Sequence, residues 1–112
     1  MWGTWDAERL YLAYPGQAWG TESLLAIYLD TVTDGGLSST MASLGNAHTL
    51  PFAADFAFVM GGPALEEPTL YTAEPGVWTA VDAQASYAVT QLGTEIVLDR
   101  AEIAASGPVQ MV

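Results

Sequence analysis

The chain contains no cysteine and no lysine, and its cationic side chains are Arg9 and Arg100, with one histidine, His48. Without cysteine there are no disulfides, thiolate metal sites or cysteine nucleophiles, and the redox compartment is left open. Two arginines against thirteen acidic residues give a formal charge of -11. Nucleic-acid binding needs clustered Lys and Arg to displace condensed counterions, so that class is excluded, and anionic membrane surfaces are disfavoured for the same reason. A single histidine excludes the usual zinc sites and any two-histidine dyad.

Other signatures are missing too. No window holds the roughly 18 consecutive apolar residues of a membrane-spanning helix, so no membrane insertion is expected. Met1 to Asp6 lacks the basic and apolar regions of a signal peptide, and any export signal is expected to lie outside this sequence. Ser38, Ser39 and Ser43 sit in no strand-turn-helix elbow. Glu66 and Glu67 are adjacent and precede Pro68, which is the pattern of a solvated turn and not of two carboxylates facing each other across a cleft. No glycine-rich phosphate loop followed by lysine occurs. The expectation is a protein that is not an enzyme.

What is present is apolar. Of the 112 residues, 51% are hydrophobic and 13% charged, enough to fill one core, so residues 1–112 are read as a single domain. Short apolar runs punctuated by Gly, Pro, Asp and Thr predict about seven strands. Arg9 to Tyr14 is a strand stopped by Pro15-Gly16. Leu24 to Leu29 is apolar on both alternating faces, as in a central strand covered on each side. Thr31 to Asn46 reads as a long loop. Phe52 to Met60 reads as one strand, with Phe56, Phe58 and Met60 on one face and Asp55, Ala57 and Val59 on the other. Leu70 to Ala73 and Val77 to Val81 flank Glu74-Pro75-Gly76 and predict a hairpin with a three-residue loop. Ser86 to Thr90 and Glu95 to Leu98 form the next pair. Asp99 to Ile103 predicts one helical turn opened by an Asp cap, and Pro108 to Val112 begins a final strand.

These elements predict an all-β fold, an antiparallel two-sheet β-sandwich of jelly-roll or immunoglobulin-like type. Both ends of the sequence are apolar, and a strand with an open edge recruits another chain, so a homo-oligomer is expected.

Four stretches resemble the carbohydrate-binding-module family 9 and DOMON-like group of sandwiches, especially divergent modules of large bacterial surface proteins. They are Trp5-Asp6-Ala7-Glu8-Arg9-Leu10-Tyr11-Leu12-Ala13-Tyr14; Ile27-Tyr28-Leu29-Asp30-Thr31 with Gly35-Gly36; Leu50-Pro51-Phe52-Ala53-Ala54-Asp55-Phe56; and Thr94-Glu95-Ile96-Val97-Leu98-Asp99-Arg100. The resemblance implies a two-sheet sandwich, glycan or haem binding, no catalysis by the module, and an extracellular or cell-surface place within a larger exported protein. The sequence departs from the group's pattern in lacking the strand before the tryptophan-aspartate motif and part of the closing strand, so the expected sandwich is a truncated or strand-sharing one. A haem would need His48 opposite Met41 or Met60, and the spacing does not argue for that.

The candidate ligand-binding residues are Trp19, Trp5, Trp78, Tyr14 and Glu22, because an aromatic face packs on the apolar side of a pyranose while a carboxylate accepts from its hydroxyls. Trp2 belongs to the same aromatic set. Core or interface packing is the competing reading for every one of these rings. Asp30, Asp34 and Asp55 are the candidate metal ligands, as oxygen donors for Ca²⁺, although their spacing is not that of an EF-hand. Asp55, inside an apolar strand, needs a partner if buried, and Arg9 or Arg100 is the expected one. Two functions follow as expectations, a polysaccharide-binding module and a structural or self-assembly module that meets neighbouring protein domains.

Overall fold

The computed structural model describes residues 2–15, 24–32, 34–42, 47–61, 69–81, 85–90, 93–104 and 109–112, with the backbone alone at 2, 15, 24, 85–90 and 93. Among these residues the fold is all-β and sandwich-like. Eleven strands run β1 (Trp2–Trp5), β2 (Arg9–Pro15), β3 (Leu24–Asp30), β4 (Leu37–Ser39), β5 (Thr49–Ala54), β6 (Phe56–Gly61), β7 (Thr69–Glu74), β8 (Val77–Val81), β9 (Ala85–Thr90), β10 (Gly93–Asp99) and β11 (Gln110–Met111). None of the described elements is a helix long and apolar enough to cross a membrane.

Alternation sorts the strands into sheets. In β2, Leu10 and Leu12 are buried, and in β10, Thr94, Ile96 and Leu98 are buried while Glu95 and Asp99 are exposed. Such period-2 patterning suits a sheet with one face on the core. These strands belong to a four-stranded antiparallel sheet of order β1-β2-β10-β9. A five-stranded sheet of order β11-β3-β6-β7-β8 packs against it. Between the two lie Leu10, Leu12, Leu25, Ile27, Leu29, Phe58, Met60, Leu70, Ile96, Leu98 and Ile103, which form the main core.

The five-stranded sheet is apolar on its other face as well. There Tyr28, Ala57 and Val59 form a second core with Met41, Leu50 and Ala54. The last three come from a two-stranded flap, β4-β5, and the residues leading into it. This third layer is the physical reason that β3 from Leu24 to Leu29 and β6 from Phe56 to Met60 carry apolar residues on both alternating faces, as the sequence of Leu24 to Leu29 predicts.

Four expectations are corrected. Phe52 to Met60 is not one strand, because the chain turns at Asp55 from β5 in the flap to β6 in the five-stranded sheet. Thr31 to Asn46 is not wholly loop, since β4 pairs with β5 at Leu37↔Ala54 and Ser39↔Thr49. Asp99 to Ile103 makes hydrogen-bonded turns on the Asp99 main-chain carbonyl, which accepts from Glu102 N at 3.1 Å and Ile103 N at 3.4 Å, without a helix. The turn drives Ile103 into the main core with no exposed surface. The β7-β8 hairpin forms where expected but closes on two residues, Pro75-Gly76, since Glu74 pairs with Val77. Gly76 has φ +77°, which the second central position of a type II turn requires.

Candidate functional site

The outer face of the four-stranded sheet carries an open groove of about 380 Å³ lined by Thr4, Tyr11, Leu12, Ala13, Glu95, Ile96 and Val97. Register explains the lining. Thr4 pairs with Tyr11, Tyr11 with Val97, and Ala13 with Glu95, so these five side chains share the face opposite Leu12 and Ile96. Leu12 and Ile96, whose side chains are buried in the main core, also line the groove. Tyr11, Ala13 and Val97 are half-buried, whereas Thr4 and Glu95 are exposed. An aromatic ring, two small apolar groups, a hydroxyl and a carboxylate therefore line one shallow surface.

The Tyr11 ring is anchored at its far end. Its hydroxyl donates to Asp6 Oδ2 at 2.8 Å. Asp6 Oδ1 accepts from the amides of Glu8 and Arg9, both at 2.8 Å, which closes the β1-β2 turn. The Glu8 amide, the Tyr11 hydroxyl and the Arg9 amide hold the Asp6 carboxyl below its ordinary value of 3.8. The bond to Asp6 in turn pushes the Tyr11 hydroxyl up. Arg100 ties the same turn to the end of β10, with its Nη1 donating to the Asp6 carbonyl at 2.9 Å. The tryptophan-aspartate stretch of the sequence is thus a side-chain-capped turn that orients one groove residue.

Among the described residues, the ligand-binding candidates named from sequence do not converge. Trp19 and Glu22 lie outside the described residues. Trp5 is 66% exposed at the end of edge strand β1. Tyr14 packs against the main core on the inner face, and burial pushes its hydroxyl up to about 12. Trp78 packs against the second core on the opposite side of the molecule. Its indole Nε1 donates to the Ser39 carbonyl at 3.1 Å, and its ring meets Tyr28 edge-on with centroids 5.7 Å apart. Tyr28 accepts from the Met41 amide through its hydroxyl at 3.1 Å. Together Trp78 and Tyr28 fasten the flap.

Asp30 and Asp55 do come together. Asp55 Oδ2 accepts from the amides of Thr31 and Val32, both at 2.8 Å, so the buried carboxylate is satisfied by the backbone following β3. The expected arginine is not the partner found. Arg9 Nε lies 3.6 Å from Asp99 Oδ1 on β10. Burial, the charge of Asp55 and a hydrogen bond with Asp55 raise the Asp30 carboxyl above its ordinary 3.8. Asp34 is exposed, and among the described residues no three Asp, Glu or His side chains are grouped as a metal ion would need.

A carboxyl whose pKa is raised by folding favours the protonated fold, so its contribution to stability grows as pH falls toward the ordinary carboxylate value and is lost as pH rises through the raised one. Asp30→Asn is therefore expected to melt at a higher temperature than the parent at neutral pH, with the difference fading in acid. Thermal melts across that range check this, and a lower melting temperature at neutral pH would contradict it.

Comparison of the chain with protein-family models, curated proteins and solved structures finds no match. The fold and its surfaces carry the functional argument.

The groove residues Thr4, Tyr11, Ala13, Glu95 and Val97 are missed by a search for isolated aromatics. Their signal is positional. Ala13 and Val97 are apolar at outward positions of strands whose inward positions are already filled by Leu10, Leu12, Ile96 and Leu98, and nothing among the described residues covers that face as the flap covers the other sheet.

Proposed function

We propose that the chain is a non-catalytic binding module that takes a polysaccharide along the outer face of its four-stranded sheet. The observation that carries this reading is the open groove with the Tyr11 ring held by Asp6, flanked by Ala13 and Val97 and by the polar Thr4 and Glu95. A sugar ring has an apolar face and a rim of hydroxyls, and the groove offers a partner for each. The likeness to carbohydrate-binding and DOMON-like modules points the same way, and with it an extracellular or cell-surface setting within a larger exported protein. No calcium is invoked, and Asp55 serves the fold.

The test is isothermal titration with a panel of polysaccharides, using Tyr11→Phe and Tyr11→Ala. Removing the ring is expected to weaken binding roughly tenfold or more, about 1.4 kcal/mol, while Tyr11→Phe keeps the ring and keeps most of the affinity. If a folded Tyr11→Ala variant binds as well as the parent, the groove is not the site.

A second reading, self-assembly, has its own observation. Trp5 is 66% exposed at the end of β1, an edge strand whose sequence Trp2-Gly3-Thr4-Trp5 carries neither charge nor proline, the usual guards of an open edge. Sedimentation of the parent and of Trp5→Lys separates the readings. An oligomer lost in the variant and tightened by salt, which relieves self-repulsion at a charge of -11, supports assembly.

A further inference from the structure

Among the described residues that line the groove, Glu95 carries the charge. Arg9 shares the outer face of β2 with Tyr11, where its side chain hydrogen-bonds the Tyr11 hydroxyl and lies 3.6 Å from Asp99 Oδ1, and Arg100 is bonded to the Asp6 carbonyl at the β1-β2 turn. At and beside this face the carboxylates of Asp6, Glu8, Glu95 and Asp99 outnumber the two arginines, and with a formal charge of -11 on the whole chain the net field there favours cations. Fields of this kind act over about 10 Å at moderate salt and raise the local concentration of cations, more so for polycations. A uronate-bearing polysaccharide is repelled. A neutral one gains the stacking and nothing from the charge.

Resting on the polysaccharide reading, we propose that the preferred ligand of the groove is an amine-bearing polysaccharide, a chain of glucosamine units whose ring faces pack on Tyr11, Ala13 and Val97 and whose ammonium groups pair with Glu95. This ligand matches both parts of the lining. Its sugar faces answer the ring and the two small apolar groups, its free hydroxyls answer Thr4, and its positive charge answers the carboxylate. An N-acetylated chain keeps the sugar backbone but loses the ammonium, which makes it the control for charge.

The experiment is titration of the whole chain, in mildly acidic buffer that keeps the amines charged, with a glucosamine hexamer, its fully N-acetylated counterpart and an oligolysine of matched charge. The glucosamine hexamer is expected to bind roughly tenfold tighter than the N-acetylated one, and Glu95→Gln and rising salt should each shrink that gap to about threefold or less. Tight binding of the N-acetylated hexamer, equal to that of the amine form, overturns this inference and leaves the polysaccharide reading standing. Failure of both sugars to bind overturns both. Oligolysine binding as tightly as the glucosamine hexamer assigns the attraction to charge alone and overturns the sugar preference. An undiminished gap in Glu95→Gln places the ammonium elsewhere and overturns it as well.

Discussion

Replacing Asp55 by alanine is expected to lower the free energy of unfolding by about 2 to 4 kcal/mol, the cost of leaving one buried and one half-buried amide donor without their charged acceptor. The donors are the Thr31 and Val32 amides, both 2.8 Å from Asp55 Oδ2. The Asp55 backbone occupies a corner of its own, with its amide donating to the Leu29 carbonyl at 2.8 Å and its carbonyl accepting from Ala73 at 2.8 Å. The side chain thus pins the segment after β3 to the point where the chain leaves the flap for β6. Asp55→Asn keeps an oxygen acceptor and removes the charge that crowds Asp30, so its loss should be about half that of Asp55→Ala. Urea melts of the two variants decide the matter. A loss under about 1 kcal/mol in Asp55→Ala would mean that water takes over both amides.

Gly36→Ala is expected to cost about 2 to 4 kcal/mol, more than the same change at Gly76. Both glycines have positive φ, +81° and +77°. That conformation alone costs an alanine about 1 kcal/mol or slightly more. Their surroundings differ. A Cβ at Gly36 would lie 2.7 Å from the Ala54 carbonyl oxygen and 2.9 Å from the Ala53 carbonyl carbon, both backbone, whereas a Cβ at Gly76 meets nothing within 4 Å. The difference between the two variants isolates the close approach that lets β4 lie beside β5. Equal losses would show that the flap shifts to make room at no cost.

How far the sequence discloses this molecule depends on whether a residue's role is set by its neighbours in the chain or by its neighbours in space. Leu24 to Leu29 announces a ribbon covered on both faces, because both sets of alternating residues are apolar, and the structure supplies a layer for each. The β7-β8 hairpin is equally local, since Pro75-Gly76 carries its turn chemistry in two adjacent residues. Asp55 is different. A sequence can flag an acid among apolar residues, but the amides that satisfy it lie 24 and 23 positions away, across a chain reversal. β4 is hidden for a similar reason. Leu37 to Ser39 lacks strand character of its own and becomes extended because Gly36 permits contact with β5 and because Trp78, 39 positions from Ser39, donates to its carbonyl. Among the described aromatic candidates, Trp5, Tyr14 and Trp78 do not converge, because a ring signals burial and binding alike. Trp78 and Tyr14 took up core positions, and among the described residues the ring that lines the open groove is Tyr11, marked by its place in the register of β2 and β10.

The five-stranded sheet, with a core on each side, has one further implication for anyone wishing to re-engineer the molecule. Its residues from Leu25 to Leu29 and from Ala57 to Met60 are committed on both surfaces, so neither surface can be redesigned without disturbing a hydrophobic layer. Freedom to change the surface is concentrated on the outward positions of β2 and β10, where side chains can be exchanged while the scaffold beneath them is left intact.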